Sequence, residues 1–212
     1  MLYNSHSHFY DLNHCTIVNK SDDNVNIDSY YSIGIHPWNA NEIEDNFFEV
    51  EHLAMSEKCL AIGEIGLDKL QGPDISIQKS TFEKQVLLSE KLKLPVILHC
   101  VKSWNEISFI KQSLNPIQTW VFHGFNKVGI LNEVLKNGLM ISIGASILSN
   151  LKLQNALEKI PNNRLLLETD DTNIDIYTIY EKVSEIKKIP LSELEVIIEE
   201  NFNRIFRNGK VA

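Results

Sequence analysis

The sequence predicts an α/β chain closed into a (β/α)8 barrel of the TIM type, with an abbreviated first βα unit. Three observations carry this. Short apolar runs alternate with longer stretches of helical periodicity, eight such runs can be counted, and histidines and carboxylates recur at their ends. Strands alternating with helices imply βαβ units and a parallel sheet. The 212 residues suit a single domain over 1–212, at the low end of the range for such a barrel.

The strand candidates are Leu2–Phe9, Cys15–Val18, Tyr31–His36, Leu60–Ile65, Val96–Cys100, Trp120–His123, Met140–Ile143 and Leu165–Glu168. They are short and mostly rich in Val, Ile and Leu, as buried parallel strands are. Only Tyr10 to His14 separate the first two, too few for a crossover helix, so the second strand is expected to be irregular or antiparallel. The polar stretch Asn19–Ser29 reads as a surface loop. Residues 41–58 form the first helical pattern, with Asn41 as its N-cap and Phe47, Phe48, Leu53 and Met55 on the apolar stripe. Residues 77–93 follow, with Phe82, Val86, Leu87 and Leu92 at helical spacing, then 103–113, 127–137 and 147–159. Phe47, Phe48, Phe82 and Phe109 are expected to pack helices on the barrel. Gly138 supplies a C-terminal stop after 127–137. Helices near 174–188 and 191–207 close the chain around Pro190, the second with a capping box from Ser192 to Glu195.

Composition narrows the function. Lys and Arg number 20 against 28 Asp and Glu, a net charge of −8, so the diffuse basic face of a non-specific nucleic-acid binder is missing. Phosphate binding then needs a local site, such as bound metal. Three cysteines, Cys15, Cys59 and Cys100, form no CxxC pair and no disulfide framework. The first residues do not read as a signal peptide, and no apolar run approaches about 18 residues, the length of a membrane span. A reducing cytoplasm is the default compartment, with no membrane partner.

The chemistry lies at the run ends. His6 and His8 sit two apart, so they share one face of a strand. Two imidazoles on an inward face are costly unless paired or metallated. Glu64 lies in the fourth run, His99 near the end of the fifth, His123 at the end of the sixth and Asp170 just past the eighth. Active sites of such barrels form at the C-terminal rim of the strands. Four histidines and two carboxylates suit zinc, manganese, iron or nickel, with magnesium tolerated where oxygen dominates. Six ligands exceed one catalytic zinc, and a carboxylate can bridge two ions. The set thus leaves room for a second divalent ion.

The ordered motifs NSHSH, IGIHPW, AIGEIGLD, PVILHC, VFHGFNK and LLLETD resemble the TatD family of metal-dependent hydrolases, and Asn201–Phe206 is similar to that family's last helix. The resemblance implies a (β/α)8 barrel, a two-metal site and deoxyribonuclease activity. Carried over by motif, His6, His8 and Asp170 hold one ion, His99 and His123 the other, and Glu64 bridges them. The sequence departs from the family pattern at Asn4, where Asp is usual, in the shortened first βα unit, and in Asp171-Thr172-Asn173, which lead almost directly into a helix. Val101-Lys102 match the basic residue after the His99 motif only loosely.

Several residues carry two readings. His36 is a substrate-phosphate contact or proton carrier, or a packing histidine at the Pro37 turn. Trp38 stacks on a base or packs as a lid. Lys102 and Asp68 contact substrate or are solvated loop charges. Asp171 competes with Asp170, and Glu168 faces the cavity or fixes a neighbouring histidine. His14 and His52 read as bystanders.

The expected function is divalent-metal-dependent hydrolysis of phosphodiester bonds, with Asp170 orienting the attacking water and Glu64 and Asp170 as the catalytic carboxylates. The substrate is DNA, or a small phosphodiester bound locally. The alternatives are an amidohydrolase-type enzyme, a phosphomonoesterase on the same barrel, and a non-catalytic metal-binding module. Many amidohydrolases bridge their metals with a modified lysine on the fourth strand, and here that strand offers Glu64 and no internal lysine.

Overall fold

In a computed structural model of the chain, which describes residues 1–11, 13–20 and 29–207, strands and helices alternate as expected. In chain order they are β1 (Tyr3–Ser7), β2 (Cys15–Lys20), β3 (Tyr30–Ile33), α1 (Ile43–Ala54), β4 (Cys59–Asp68), α2 (Ile75–Leu92), β5 (Val96–Val101) and α3 (Trp104–Leu114). Then come β6 (Trp120–Phe122), α4 (Leu131–Lys136), β7 (Met140–Ile143), α5 (Leu151–Leu157), β8 (Leu165–Leu167), α6 (Ile176–Lys187) and α7 (Leu191–Phe202). Strand order in the sheet is chain order, β1 to β8. Most of the predicted polar loop lies outside the described residues. No helix among the described residues is long and apolar enough to cross a membrane.

The chain divides into two compact units, one of Met1–Val18 with Phe122–Ala212, the other of Asn19–Val121. In the first, β1 pairs in parallel with β2 (Tyr3 opposite Cys15, Ser7 opposite Val18), with one register shift. The antiparallel alternative is thus corrected, while the irregularity is present. The reason is reach. Residues 8–14, fully extended, span at most about 25 Å, and the five residues of β1 rise only about 16 Å. The chain returns beside β1 without a helix.

Past the end of β8 the chain rejoins β1: Ser7 bridges Asp170, the His8 N–H donates to Asp170 O at 2.9 Å, and the Asp170 N–H donates to His6 O at 3.1 Å. Helices α6 and α7 close over β1. The Tyr180 hydroxyl accepts from the Tyr3 N–H and donates to Tyr3 O, at 3.1 and 2.9 Å. The Tyr3 ring packs 4.9 Å from Phe202, and its hydroxyl donates to Glu199. Burial pushes the Tyr180 phenol well above its ordinary value. In the predicted tail, the Asn201 amide donates to the carbonyls of Asn162 and Leu165, fixing the approach to β8.

In the second unit β3, β4 and β5 pair in parallel. Helix α2 starts at Asp74, whose carboxylate accepts from the Ser76 N–H, and ends at Lys93 in a left-handed turn. Phe82 is fully buried and meets the Trp120 ring edge-on at 5.4 Å. Beyond β3, Gln85 stands in for a strand neighbour: its amide accepts from the Ile35 N–H and donates to Ile35 O.

Several local expectations are corrected. The first helix is preceded by a 3-10 turn over Pro37–Glu42, so Asn41 lies inside that turn, and Glu42 is the residue before α1. Its buried residues are Val50 and Ala54, an i, i+4 pair; Phe48 and Met55 are exposed, and Phe47 lies under the Lys84 amine at 4.4 Å. Leu87 of α2 and Phe109 of α3 also face solvent, the latter because Ile107 and Ile110 take the buried positions. The Ser192 capping box does not form, since α7 begins directly after Pro190, whose fixed φ already sets the helix entry. Gly138 follows α4 with φ 80, as a stop residue should.

Candidate metal centre

The first unit gathers His6, His8, His123, Glu168 and Asp170. His6 is fully buried at the end of β1, and its Nε2 lies 3.4 Å from Asp170 Oδ1; His8 Nε2 lies 3.6 Å from the same oxygen. The two rings stand edge-on, 5.4 Å apart. His6, His8 and Asp170 offer ligand atoms that all lie within 4.8 Å of one another, as do His123, Glu168 and Asp170. Asp170 sits in a left-handed conformation, φ 54, which costs a non-glycine residue about 1–2 kcal/mol. Aspartate tolerates it better than most, and such strain gathers at functional sites. Its backbone bonds to β1 hold it there and aim its carboxylate at both imidazoles. Asp171 is exposed instead.

Asn4 supports this arrangement. Its side-chain amide donates to Thr169 Oγ1 at 2.8 Å and its carbonyl accepts from the Thr169 N–H at 3.2 Å; Thr169 Oγ1 in turn donates to Ser7. An ionised aspartate would lack the donor. The departure at Asn4 thus pins the residue between Glu168 and Asp170.

The second unit gathers His36, Glu64, Asp68 and His99. Glu64 is buried in β4, and its Oε1 lies 2.5 Å from His99 Nδ1 and 3.5 Å from His36 Nε2. His36, Glu64 and His99 form a further group able to hold an ion. Asp68, four residues along the same strand face, accepts on Oδ2 from Trp38 Nε1 at 2.8 Å and faces His99 Nε2 at 3.3 Å. Carboxylates thus face both nitrogens of His99, Glu64 at Nδ1 and Asp68 at Nε2, and fix the orientation of the ring. Burial raises the Asp68 carboxyl, but the bonds from Trp38, the Leu70 N–H and His99 outweigh it and hold the group below its ordinary value. His36 Nδ1 accepts from the Trp38 N–H at 3.3 Å, so this ring is set by its own turn. A cavity of about 470 Å³ opens beside His36, lined also by Lys20, Gly34, Asn39 and Glu49.

Lys102 belongs to neither cluster; it is exposed at the turn leaving β5, with φ 51. Sequence reasoning under-weighted two carboxylates. Asp68 reads as a solvated loop charge, yet it is buried; its spacing of four from Glu64 was the available signal. Glu168 is fully buried, accepts from the Gly124 N–H on Oε1 and lies 3.5 Å from His123 Nδ1. Its spacing of two from Asp170 carried no such signal, because Asp170 lies outside the strand ladder.

Imidazole nitrogens and carboxylate oxygens gathered at the ends of parallel strands define a metal-dependent hydrolase on a (β/α)8 barrel, acting on ester bonds. The chain belongs to the TatD related DNase family, whose model matches residues 6–207. It is 29% identical over 197 residues to the uncharacterized metal-dependent hydrolase YabD of Bacillus subtilis, covering 84% of this chain and 77% of that protein. It is likewise 29% identical over 203 residues to the 3'-5' ssDNA/RNA exonuclease TatD of Dickeya dadantii, covering 84% and 76%. The solved structure of a TatD family hydrolase from Entamoeba histolytica superposes with a TM-score of 0.76 at 26% identity, covering 87% of this chain and 76% of that one.

Proposed function

We propose that the enzyme hydrolyses phosphodiester bonds of single-stranded nucleic acid, or of a short phosphodiester, with two divalent ions. The carrying observation is the donor set: His6, His8 and Asp170 in one cluster, His99 and Glu64 in the other. Glu168 supports a cation's presence, since its buried Oε2 has no hydrogen-bond partner among the described residues. A buried, unpartnered carboxylate oxygen is costly unless positive charge lies near it. The motif carry-over gives His123 to the second ion and makes Glu64 a ligand to both.

Bound ions would supply Lewis acidity toward the phosphoryl oxygens and lower the pKa of an attacking water. Asp170 holds that water and accepts its proton, its carboxylate kept in place by the bonds to β1. Asp68 keeps His99 in one tautomer and orientation. His36 and Trp38 lie on the substrate side, and Lys102 attracts the backbone phosphates from the rim. None of the three cysteines is in a disulfide, which suits a reducing compartment such as the cytoplasm.

The test is metal analysis of the purified protein together with cleavage of single-stranded DNA, RNA and a phosphomonoester in magnesium, manganese, zinc, iron or nickel. The expected result is two ions per chain and oligonucleotide cleavage that a chelator abolishes. Cleavage of the monoester alone would replace the diesterase reading, protein that binds metal without cleaving would return the chain to the metal-binding module, and protein that does neither would remove the metal centre.

A further inference from the structure

Trp38 is the one tryptophan of three left open to solvent. It is 46% exposed, whereas Trp104 and Trp120 are 6% and 1% exposed. An exposed aromatic by itself needs no explanation, and Phe48 and Phe109 are such cases. Trp38 differs in being held. Its Nε1 donates to Asp68 Oδ2 at 2.8 Å, and Asp68 is itself buried. Its ring stands at 83° to His36, with centroids 4.6 Å apart. Beneath its backbone lies Gly72, where a Cβ would come within 3.0 Å of Trp38 Cα and 2.8 Å of Pro37 O.

The loop that carries Asp68 is itself tied. The Gln78 side chain accepts from the Asp68 N–H and donates to the carbonyls of Asp68, Gln71 and Pro73. A large apolar ring with a fixed polar edge and an open surface loses little entropy on binding a flat partner.

We propose that the open surface of Trp38 is a stacking platform for an unpaired nucleobase, making Trp38 a positioning and specificity-determining residue for the hydrolysis. One carboxylate anchors both sides of the arrangement: Asp68 binds the indole at 2.8 Å and faces the candidate ligand His99 at 3.3 Å. A base stacked on the indole is thereby held at a set distance from the ligand imidazole. A paired base has both faces occupied by its neighbours, so the platform selects single-stranded ends. The inference rests on the phosphodiester reading and deepens it.

The test reads binding. Tetrathymidylate with a phosphorothioate backbone, which resists hydrolysis, is compared with an abasic tetramer of the same backbone, both in magnesium. Because Trp104 and Trp120 are buried, emission quenched by acrylamide reports Trp38. Tetrathymidylate at saturation should alter and shield that emission, and the abasic tetramer should not. By anisotropy of labelled tetramers, Trp38→Ala should lower the preference for tetrathymidylate over the abasic tetramer about tenfold, within the range found for removing one stacking partner. Trp38→Phe, which keeps an aromatic face, should retain most of the preference.

The proposal is overturned if wild-type protein shows no preference for the base-bearing tetramer, if Trp38→Ala keeps the preference, or if tetrathymidylate binds without touching the accessible emission. Cleavage of unmodified tetrathymidylate by the wild-type enzyme separates the two claims. Cleavage with an unchanged preference in Trp38→Ala removes only the platform. No cleavage in any divalent ion removes the hydrolase reading, and the fluorescence result then stands alone.

Discussion

Replacing Gly66 by alanine tests how β4 and β5 place their ligands. Gly66 sits opposite His99 in the β4–β5 ladder, with φ 153. A Cβ built there would lie 1.9 Å from the His99 carbonyl oxygen and 2.8 Å from its carbonyl carbon. Real Cβ contacts essentially never fall below 3.0 Å, so the His99 backbone must withdraw by at least about 1.1 Å. Neither side is a flexible side-chain end that can turn away. Forced overpacking costs about 1–3 kcal/mol and the unfavourable φ a further 1–2 kcal/mol. Gly66→Ala should therefore lose about 2–5 kcal/mol, a large share of a typical domain's stability. A shift of about 1 Å at the ligand should also lower turnover about 100-fold in protein that still folds. Urea unfolding gives the first number, and metal titration with a cleavage assay gives the second. Gly129→Ala is the control, since a Cβ there meets nothing within 4 Å. An unfolding midpoint and metal affinity for Gly66→Ala matching the control would refute the reasoning.

Four further outcomes follow from the same geometry. Glu64→Gln should reduce kcat/KM more than His36→Ala, whose loss should stay within the 10- to 100-fold of an outer ligand partner; the reverse order, at equal metal content, would argue against the ligand role of Glu64. Added divalent ion should raise the melting midpoint, by a linkage of about 2.7 kcal/mol at 100 times the dissociation constant. Asp170→Asn, which asparagine's tolerance of left-handed φ should leave folded, should narrow that rise; an unchanged midpoint in wild-type protein would remove the metal site. Phe82→Ala should cost about 3–5 kcal/mol and Phe109→Ala under about 0.5 kcal/mol by chemical denaturation, because only the former is buried. The Lys69 hydrogen bond holds the Glu106 carboxyl below its ordinary value, so its stabilisation is present above about pH 4.3 and lost as pH falls through the lower folded value; Glu106→Gln should cost at most about 1 kcal/mol at pH 7 and progressively less as the pH is lowered into the acid range.

What was legible in the sequence follows from period and chemistry. Buried strands such as Leu165–Leu167 are continuous aliphatic runs, and these announce themselves. His6, His99 and Asp170 stood out because ligating residue types ended such runs. Helix faces were less legible. In α1 a charged sequence offers Phe47, Phe48, Val50 and Leu53 on overlapping arcs, and the sheet beneath, not the periodicity, selects Val50 and Ala54. Contacts made by polar side chains across distant segments were not legible. Asn4 with Thr169 and Trp38 with Asp68 are joined by hydrogen bonds that no local pattern encodes.

The way β1 is secured has a consequence for synthesis. Beyond β2, its partners arrive last: Asp170, Tyr180 and Glu199 lie up to 196 positions further along the chain. Asn19–Val121, by contrast, is one uninterrupted stretch whose own pairings are all available once Val121 has left the ribosome. The opening strand must wait through nearly the whole of translation with the edge away from β2 unpaired. Nascent chains are vulnerable to misassociation and chaperone capture in such an interval. Codon changes that slow elongation late in the message would lengthen that wait, and removing α7 would take away the Glu199 and Phe202 contacts to Tyr3.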